Sequence, residues 1–188
     1  ADVSNQDVCP EVRLPSSFDD YLSQLGGKQR REINRKMRRV SARDGRWYIV
    51  DEPSLMEDAA HNFMDLMATS SAEKATFLTP KMRAALCEIF QRSNASGLFG
   101  LCFFEVEGQK VAACAYFTFQ GTLYLYNSGY DLAIYGGLSP GWVLLAHLIE
   151  HAIETGHTKF DFMRGDEDYK YKFGGHNVRV LRLTIDKS

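Results

Sequence analysis

The segment DFMRGDEDYKYKFGG, residues 161–175, decides the prediction of the fold. Phe162 and Met163, with Phe160 before them, are residues of a buried strand, whereas Arg164 and the acids that follow need water or charged partners. The polarity therefore changes where a strand should end. Strand ends that present charged and phenolic groups are where α/β proteins keep their chemistry. We therefore expect the functional site at the end of this strand.

The hydrophobic pattern of the whole chain predicts an α/β (α+β) fold in which helices flank a mixed, mostly antiparallel central sheet. Periods of two and of about 3.6 residues distinguish strands from helices. The predicted strands are 47–51, 98–106, 111–119, 122–127, 159–163 and 178–186. The predicted helices are a short one between Ser17 and Gly26, then 28–43, 55–68, 79–97 and 139–155. Ser139 as N-cap and Pro140 in the first helical position make the last of these the best defined.

Composition limits the domain organisation and the partners. Residues 1–16 contain Pro10 and Pro15 without clear periodicity, so we expect an N-terminal lead-in or linker, and a single domain over 17–188. A net charge of −2 gives no global electrostatic case for nucleic acid. The four cysteines lack metal-ligand spacing, and no apolar run approaches the ~20 residues of a membrane span. We predict a cytoplasmic protein without a metal or a membrane span.

One short pattern points to a different class of enzyme. His147-Leu148-Ile149-Glu150-His151 matches H-x-x-E-H, which is the inverted zinc-protease motif when it lies on a helix. The same helix uses its leucines and isoleucine as a buried stripe, so the two histidines and Glu150 form its natural polar side. We therefore predict no zinc site here.

The pattern D-F-x-R-G-D-x-x-Y-K at residues 161–170 and the pattern L-S-P-G-W at 138–142 together carry a family resemblance. They resemble the GNAT acyltransferase superfamily, and more closely its FemAB-like branch, which includes acetyltransferase domains of polysaccharide-biosynthesis proteins. The resemblance implies a GNAT-type fold and an N-acyltransferase that uses acetyl-CoA or another acyl-CoA. It also implies an amine acceptor on a small molecule or glycan, such as a sugar or cell-envelope precursor. Family members are about twice as long, so we expect this chain to be the C-terminal half, preceded by a related half.

The start of the predicted helix at 139–155 is the candidate site for the cofactor. A helix N-terminus presents unpaired N–H groups, here those of Gly141, Trp142 and Val143, together with the positive end of the helix dipole. In the family this turn holds the pyrophosphate of coenzyme A. The resemblance therefore implies cofactor contacts from Gly136, Gly137, Leu138, Ser139, Gly141 and Trp142. The family pattern Q/R-x-x-G-x-G/A lacks its basic first residue here, and an ordinary capped helix is the alternative.

The strand that ends near Asn127 supplies the second part of the predicted site. In the family this end splays from the next strand to admit pantetheine, and its backbone N–H groups polarise the thioester carbonyl. The resemblance therefore implies that Tyr126, Asn127, Ser128 and Tyr130 line the cleft. The alternative is that Tyr126 belongs to one face of an ordinary sheet.

Acyl transfer from a thioester to an amine needs a base for the amine and a proton donor for the thiolate. Tyr169 is the predicted acid, because a phenol can protonate a thiolate, and Tyr171 is its substitute. Asp166 and Glu167 are predicted bases or anchors for the substrate amine.

Two basic residues of the same segment have two possible roles. Arg164 and Lys170 are predicted to contact the cofactor phosphates or, alternatively, to belong to the scaffold. An ion pair between Asp161 and Arg164 would be one such scaffold contact.

Residues 28–43 carry eight cations and a single acid, Glu32. The cations are Lys28, Arg30, Arg31, Arg35, Lys36, Arg38, Arg39 and Arg43. A solvated helix face and an anion site are both open interpretations. The anion site matters for a second function, an aminoacyl-tRNA-dependent peptidyl transfer as in the Fem proteins, in which these residues would hold RNA. A third possibility is a non-catalytic GNAT-fold binding domain.

Overall fold

The structure is a computed structural model that describes residues 1–50, 52–131, 133 and 136–185. The predicted strand ends at Asp51 and Asp186 lie outside the described residues. The strands are β1 (Asp2–Arg13), β2 (Gly45–Val50), β3 (Phe99–Val106), β4 (Gln109–Phe119), β5 (Thr122–Tyr130), β6 (Lys159–Asp161) and β7 (His176–Thr184). The helices are α1 (Phe18–Gln24), α2 (Gly27–Ser41), α3 (Met56–Ser70), α4 (Ala72–Phe77), α5 (Pro80–Ala95), α6 (Pro140–Glu154) and α7 (Asp168–Lys172).

The strands form a seven-stranded sheet in the order β2-β3-β4-β5-β6-β1-β7. Every neighbouring pair is antiparallel except β5 and β6, which are parallel. The prediction of a mixed, mostly antiparallel sheet flanked by helices is therefore confirmed. The one parallel pair follows from the connection through α6, since parallel strands need a crossover whereas antiparallel strands can be joined by a tight turn.

Helices cover both faces of the central strands. Alternate residues of β4 belong to different cores, with Cys114 on the face that packs α1, α2 and α6, and Ala113 on the face that packs α3 and α5. In β3, Phe104 and Phe103 divide in the same way. Because successive side chains of a strand point to opposite faces, burial on both sides requires the near-continuous apolar sequence of these two strands.

The N-terminal residues do not form a lead-in outside the sheet, so this prediction is wrong for residues 2–13. They form β1, which lies between β6 and β7, with Glu11 opposite Asp161 and Cys9 opposite Val178. Only two of the twelve residues of β1 are buried, so its sequence lacks the alternation of apolar and polar residues that marks a half-buried strand. A prediction from periodicity alone therefore missed it.

Two features near the ends of helices also differ from the prediction. Ser139 has a left-handed backbone with φ of 53°, and its side chain makes no capping bond, so it is not the side-chain N-cap of α6. An N-cap hydroxyl reaches the first-turn amides from extended backbone, which Ser139 does not have. The short helix α4 was missed because none of its residues is buried, which leaves no apolar stripe to detect.

Gly129 allows α3 to lie directly on β5. A Cβ atom at Gly129 would lie 2.2 Å from the backbone nitrogen of Met67 on α3. We predict that Gly129→Ala lowers the free energy of unfolding by roughly 1–3 kcal/mol, because the added methyl overpacks this contact. Urea denaturation measures the change. Gly137→Ala is the matched control, since a Cβ atom there meets nothing within 4 Å. Equal unfolding midpoints for the two variants would contradict the prediction.

Candidate active site

The strands β5 and β6 part after a short pairing. Only Thr122, Leu123 and Tyr124 of β5 pair with β6, which ends at Asp161, whereas β5 continues to Tyr130. A cavity of about 800 Å³ opens beside this part of β5. The functional site predicted at the end of β6 therefore corresponds to a real opening in the sheet.

The part of β5 that lines the cavity contains a β-bulge in its pairing with β4. Ala115 of β4 pairs with Asn127, and the next residue of β4 pairs with Leu125, so Tyr126 is an extra residue without a partner on β4. A bulge leaves the extra residue outside the ladder of hydrogen bonds and bends the strand. Tyr126, Asn127, Ser128 and Tyr130 all line the cavity, so the structure brings the predicted cleft residues together.

The first turn of α6 forms another wall. Ser139, Gly141 and Trp142 line the cavity, but Gly137 and Leu138 are not among the residues around it. Residues 136–138 form a 3-10 turn, and the side chain of Leu138 is buried in the core. Two residues of the predicted cofactor-binding stretch, Gly137 and Leu138, therefore lie away from the cavity.

The amides of this turn are also less free than predicted. The N–H groups of Trp142 and Val143 both donate to the carbonyl oxygen of Ser139, at 3.0 and 3.2 Å. The carbonyl of the residue before a helix accepts the first bonds of that helix, so neither amide is free. The prediction that the amides of Trp142 and Val143 face an anion is thus wrong. Of the residues at this helix start whose amides were expected to face an anion, Gly141 remains as the candidate at the cavity.

The cationic helix α2 reaches the cavity through Lys36. The ammonium of Lys36 lies 3.9 Å from the centroid of the Trp142 ring and 3.0 Å from the carboxylate of Glu32. The other cations of the cluster are exposed, and among the described residues none of them has an ion-pair partner. They are Lys28, Arg30, Arg31, Arg35, Arg38 and Arg39 on α2, and Arg43 just beyond it. A cationic surface therefore begins at one rim of the cavity.

Tyr169 lines the cavity, and its ring contacts Phe162 edge to face at 6.3 Å between centroids. Burial raises the pKa of Tyr169, and the nearby charge of Glu167 adds to the effect. Within the described part of the chain its hydroxyl has no hydrogen-bond partner. A protonated phenol is therefore available to a ligand, as the predicted acid requires. Tyr171 is no substitute, because it is exposed and its hydroxyl donates to Asn177 at 2.8 Å.

Lys170 is almost fully buried, with 2% of its side chain exposed. Its ammonium donates to the carbonyl oxygens of Met163, Arg164 and Gly165 at 2.9 to 3.1 Å. It also lies 2.8 Å from the carboxylate of Glu167. An ammonium has three N–H groups, and these contacts use all of them. Of the two roles left open for Lys170, the contacts favour the scaffold.

The acids of the segment are in three different environments. Burial alone would raise the pKa of Glu167, but the hydrogen bond and the charge of Lys170 outweigh burial and lower that pKa. Glu167 lines the cavity, whereas Asp166 is exposed and is not among the residues around it. The carboxylate of Asp161 accepts the amide of Met163 at 2.7 Å. Glu167 therefore remains in place as an anchor, and Asp166 does not reach the site.

The proposed ion pair between Asp161 and Arg164 is not the contact that the structure shows. The guanidinium of Arg164 lies 3.4 Å from the carboxylate of Asp7 on β1 instead. The backbone turns sharply between the two residues, since Met163 has a left-handed φ of 56°. This turn directs Arg164 away from Asp161 and leaves it at the rim of the cavity, where it is exposed.

Lys74 of α4 is a residue of the cavity that the sequence did not reveal. Its ammonium donates to the carbonyl oxygen of Ser128 at 2.6 Å and so ties α4 to the end of β5. Burial lowers the pKa of Lys74, although nearby Cys114 and Glu167 oppose the shift. Nothing in the local sequence marks this lysine, because α4 has no apolar stripe that would orient it.

The H-x-x-E-H motif of α6 lies outside the cavity. The ring of His147 stacks on Trp47 with centroids 5.4 Å apart, and its Nδ1 atom lies 3.2 Å from Glu150. Burial lowers the pKa of His147 and also that of His151. Over the described residues, no group of histidines, cysteines and acids is arranged to hold a metal ion, and no helix has the length and apolarity to cross a membrane.

The scaffold role of Lys170 is testable by stability. We predict that Lys170→Met lowers the free energy of unfolding by about 3 kcal/mol, because Glu167 and three carbonyl groups lose their cationic partner. Lys172→Met, on the exposed side of α7, is the control and should change stability by less than about 0.5 kcal/mol. Urea denaturation compares the two. A Lys170→Met protein as stable as the control would refute the scaffold role.

Comparison with known proteins gives a family and several structural relatives. Residues 27–171 match the family described as "Acetyltransferase (GNAT) domain". The chain is similar to FemX, with a TM-score of 0.73 and 12% identity over 93% of this chain and 60% of that one. It is also similar to L-PGS from Bacillus licheniformis, with a TM-score of 0.64 and 12% identity over 96% of this chain and 60% of that one. No curated protein matches the chain by sequence.

At these identities the structural likeness concerns the fold alone, and the chain spans 60% of the length of either structure. The family match is stronger, because it covers most of the chain and includes α2, the bulged strand β5, the start of α6 and Tyr169. The chain therefore belongs to the acetyltransferase (GNAT) domain family, with a FemAB-like fold.

Proposed function

We propose that this protein is an acyl-CoA-dependent N-acyltransferase that moves an acetyl or other acyl group from coenzyme A to an amine. The observation that carries the proposal is the meeting of three features around one cavity. These are the bulge of β5 at Tyr126, the start of α6 at Gly141, and the hydroxyl of Tyr169. The residues around the cavity thus combine a backbone edge for the donor, a helix start for its phosphates and a proton donor.

The unpaired edge of β5 suits the pantetheine arm of the donor. Beyond Tyr124, β5 has no partner on the β6 side within the described residues, so its backbone groups face the cavity. Pantetheine contains amide groups, and an extended amide chain adds to a free sheet edge as a strand does. The bulge at Tyr126 would then place backbone N–H groups against the thioester carbonyl, which polarises it for attack.

Tyr169 would act on the leaving sulfur. Because burial raises the pKa of Tyr169, the phenol stays protonated through the neutral range and can donate to the sulfur as the C–S bond breaks. Glu167, which is ionised beside Lys170, would accept a hydrogen bond from the N–H of the approaching acceptor amine. The acceptor class, an amine of a sugar or cell-envelope polysaccharide precursor in the cytoplasm, rests on the family resemblance.

Isothermal titration with acetyl-CoA tests the donor site. We predict micromolar binding by the unmodified protein and at least tenfold weaker binding, about 1.4 kcal/mol, by Gly141→Glu, because a carboxylate at this helix start repels the pyrophosphate. Gly141→Ala is the control for steric effects, since a Cβ atom there would lie 3.1 Å from the Tyr130 ring. An equal loss of acetyl-CoA affinity in the two variants would show that the effect comes from packing and not from charge. Binding without transfer to any amine would support a non-catalytic domain.

A second candidate is an aminoacyl-tRNA-dependent peptidyl transfer, and the cationic surface of α2 favours it. Seven cations without carboxylate partners in the described structure lead to the cavity rim at Lys36. Six of the eight cations of this cluster are arginines, whose planar fork binds phosphate in a bidentate manner. This surface is larger than a single pyrophosphate needs. Absence of acetyl-CoA binding by the unmodified protein would bring this candidate to the front.

The salt dependence of tRNA binding tests this second candidate. We predict that substituting Arg35, Arg38 and Arg39 by glutamine reduces the slope of log K against log salt by about 2 to 3, because each phosphate contact contributes roughly 0.7 to 0.9. The matched control replaces Arg92, Arg179 and Arg182, three exposed arginines of α5 and β7. An equal reduction in both triple variants would show non-specific attraction and would exclude α2 as a dedicated site.

A further inference from the structure

The acceptor nitrogen must lose a proton as the amide forms, and the acids of residues 161–168 are poorly placed to take it. Asp166 is exposed outside the cavity. Glu167 is held by Lys170 at 2.8 Å, which lowers its pKa and makes it a weak base. Asp161 is not among the residues around the cavity, and its carboxylate accepts the amide of Met163. Another residue that lines the cavity must therefore accept the proton.

Lys74 has the position that such a group needs. It projects from α4 into the cavity that also contains Tyr169, and its nitrogen is fixed by the 2.6 Å hydrogen bond to Ser128. This bond uses one N–H group of the side chain. Among the described residues no carboxylate forms an ion pair with Lys74, although it is half-buried. The side chain is thus held in place by a neutral carbonyl group and not by a carboxylate.

The groups whose charge acts on Lys74 are Cys114 on β4, Glu167 before α7 and Glu73 on α4 itself. The other titratable residues around the same cavity are Lys36, Tyr126, Tyr130, Arg164, Tyr169 and Lys170. Burial is the largest effect on Lys74 and lowers its pKa, although nearby Cys114, Glu167 and Glu73 oppose the shift. A lowered pKa increases the fraction of neutral amine near neutral pH.

We propose that Lys74 is the catalytic base, which accepts the proton of the acceptor amine during the acyl transfer proposed above. The amine nitrogen forms a bond to the thioester carbonyl carbon, the C–S bond breaks, and the nitrogen loses its proton to the neutral Lys74 side chain. Lys74 then returns this proton to the thiolate through the hydroxyl of Tyr169. The products are an amide and a free thiol, and Lys74 is neutral again.

Competitive labelling with acetic anhydride tests the protonation state of Lys74 without any assay of activity. The full chain is labelled across a pH series, and mass spectrometry follows Lys74 and Lys81, an exposed lysine of α5. We predict that the reactivity of Lys74 reaches its midpoint at a lower pH than that of Lys81. The midpoint, rather than the rate, is compared because Lys74 is less accessible. A midpoint equal to or above that of Lys81 would overturn the proposal.

Two substitutions then separate a base from a scaffold residue. Lys74→Arg keeps a cation that can bond Ser128 but cannot accept a proton, whereas Lys74→Met removes both properties. In thiol release from acetyl-CoA with amino sugars as acceptors, we expect both variants to lose about 10²-fold in kcat. Lys81→Arg is the control and should keep full activity. Activity retained by Lys74→Arg would overturn the base role alone.

The failure of the proposed function would look different. If the unmodified protein released no thiol with any amino sugar, acyl transfer from coenzyme A would be excluded, and the base role with it. The labelling midpoint would still report whether Lys74 is neutral, because that measurement needs no turnover. The two results together therefore distinguish a wrong residue from a wrong reaction.

Discussion

The buried ammonium of Lys170 is the interaction on which the site depends. It gathers the carbonyl groups of Met163, Arg164 and Gly165 around one charge, and this forces the chain to turn at the end of β6. The amide of Gly165 is fixed on the other side by the carbonyl of Val8. Because β6 stops there while β5 continues, the sheet opens between the two strands. The cavity is thus a consequence of a strand that ends early and of a cation that holds the end in place.

The opposite wall depends on close packing rather than on charge. At Gly129 the backbone of α3 touches β5, and a single residue, Ser71, separates the end of α3 from the start of α4 at Ala72. This contact fixes the distance between α4 and the end of β5, which lets Lys74 reach the carbonyl of Ser128. A larger residue at position 129 would move α3 and α4 away together. The position of Lys74 in the cavity therefore depends on the absence of a side chain at Gly129 in β5.

Most of the fold could be predicted because its elements are regular. The two-sided burial of β3 and β4, the apolar stripe of α6 and the Pro140 start all leave periodic signals in the sequence. The strand β1 and the helix α4 could not be found in this way, since β1 buries only two residues and α4 buries none. Their places are fixed by partners that are distant in sequence, and no local pattern contains that information.

The candidate site shows the same division between local and distant information. Tyr126, Gly141 and Tyr169 belong to regular elements, and the structure brings them to one cavity. The roles of Lys170, Arg164 and Asp166 depended instead on a loop of residues 163–167 in which two residues have positive φ. A backbone of this kind reverses the direction of neighbouring side chains, so residue type and order do not determine which of them face the cavity.

The charges around the cavity are distributed unevenly, and their places indicate from which side the donor and the acceptor would enter. Under the proposed function, Lys36 and the start of α6 lie on the side of the donor phosphates, while Lys74 and Glu167 lie beside the bulged end of β5. Both candidate donors, a coenzyme A thioester and an RNA ester, carry their phosphates on the leaving group. A leaving group held on the α2 side places the carbonyl near Tyr126 and exposes it to an amine that enters from α4. The same wall that would fix the acceptor therefore also contains the group that would take its proton.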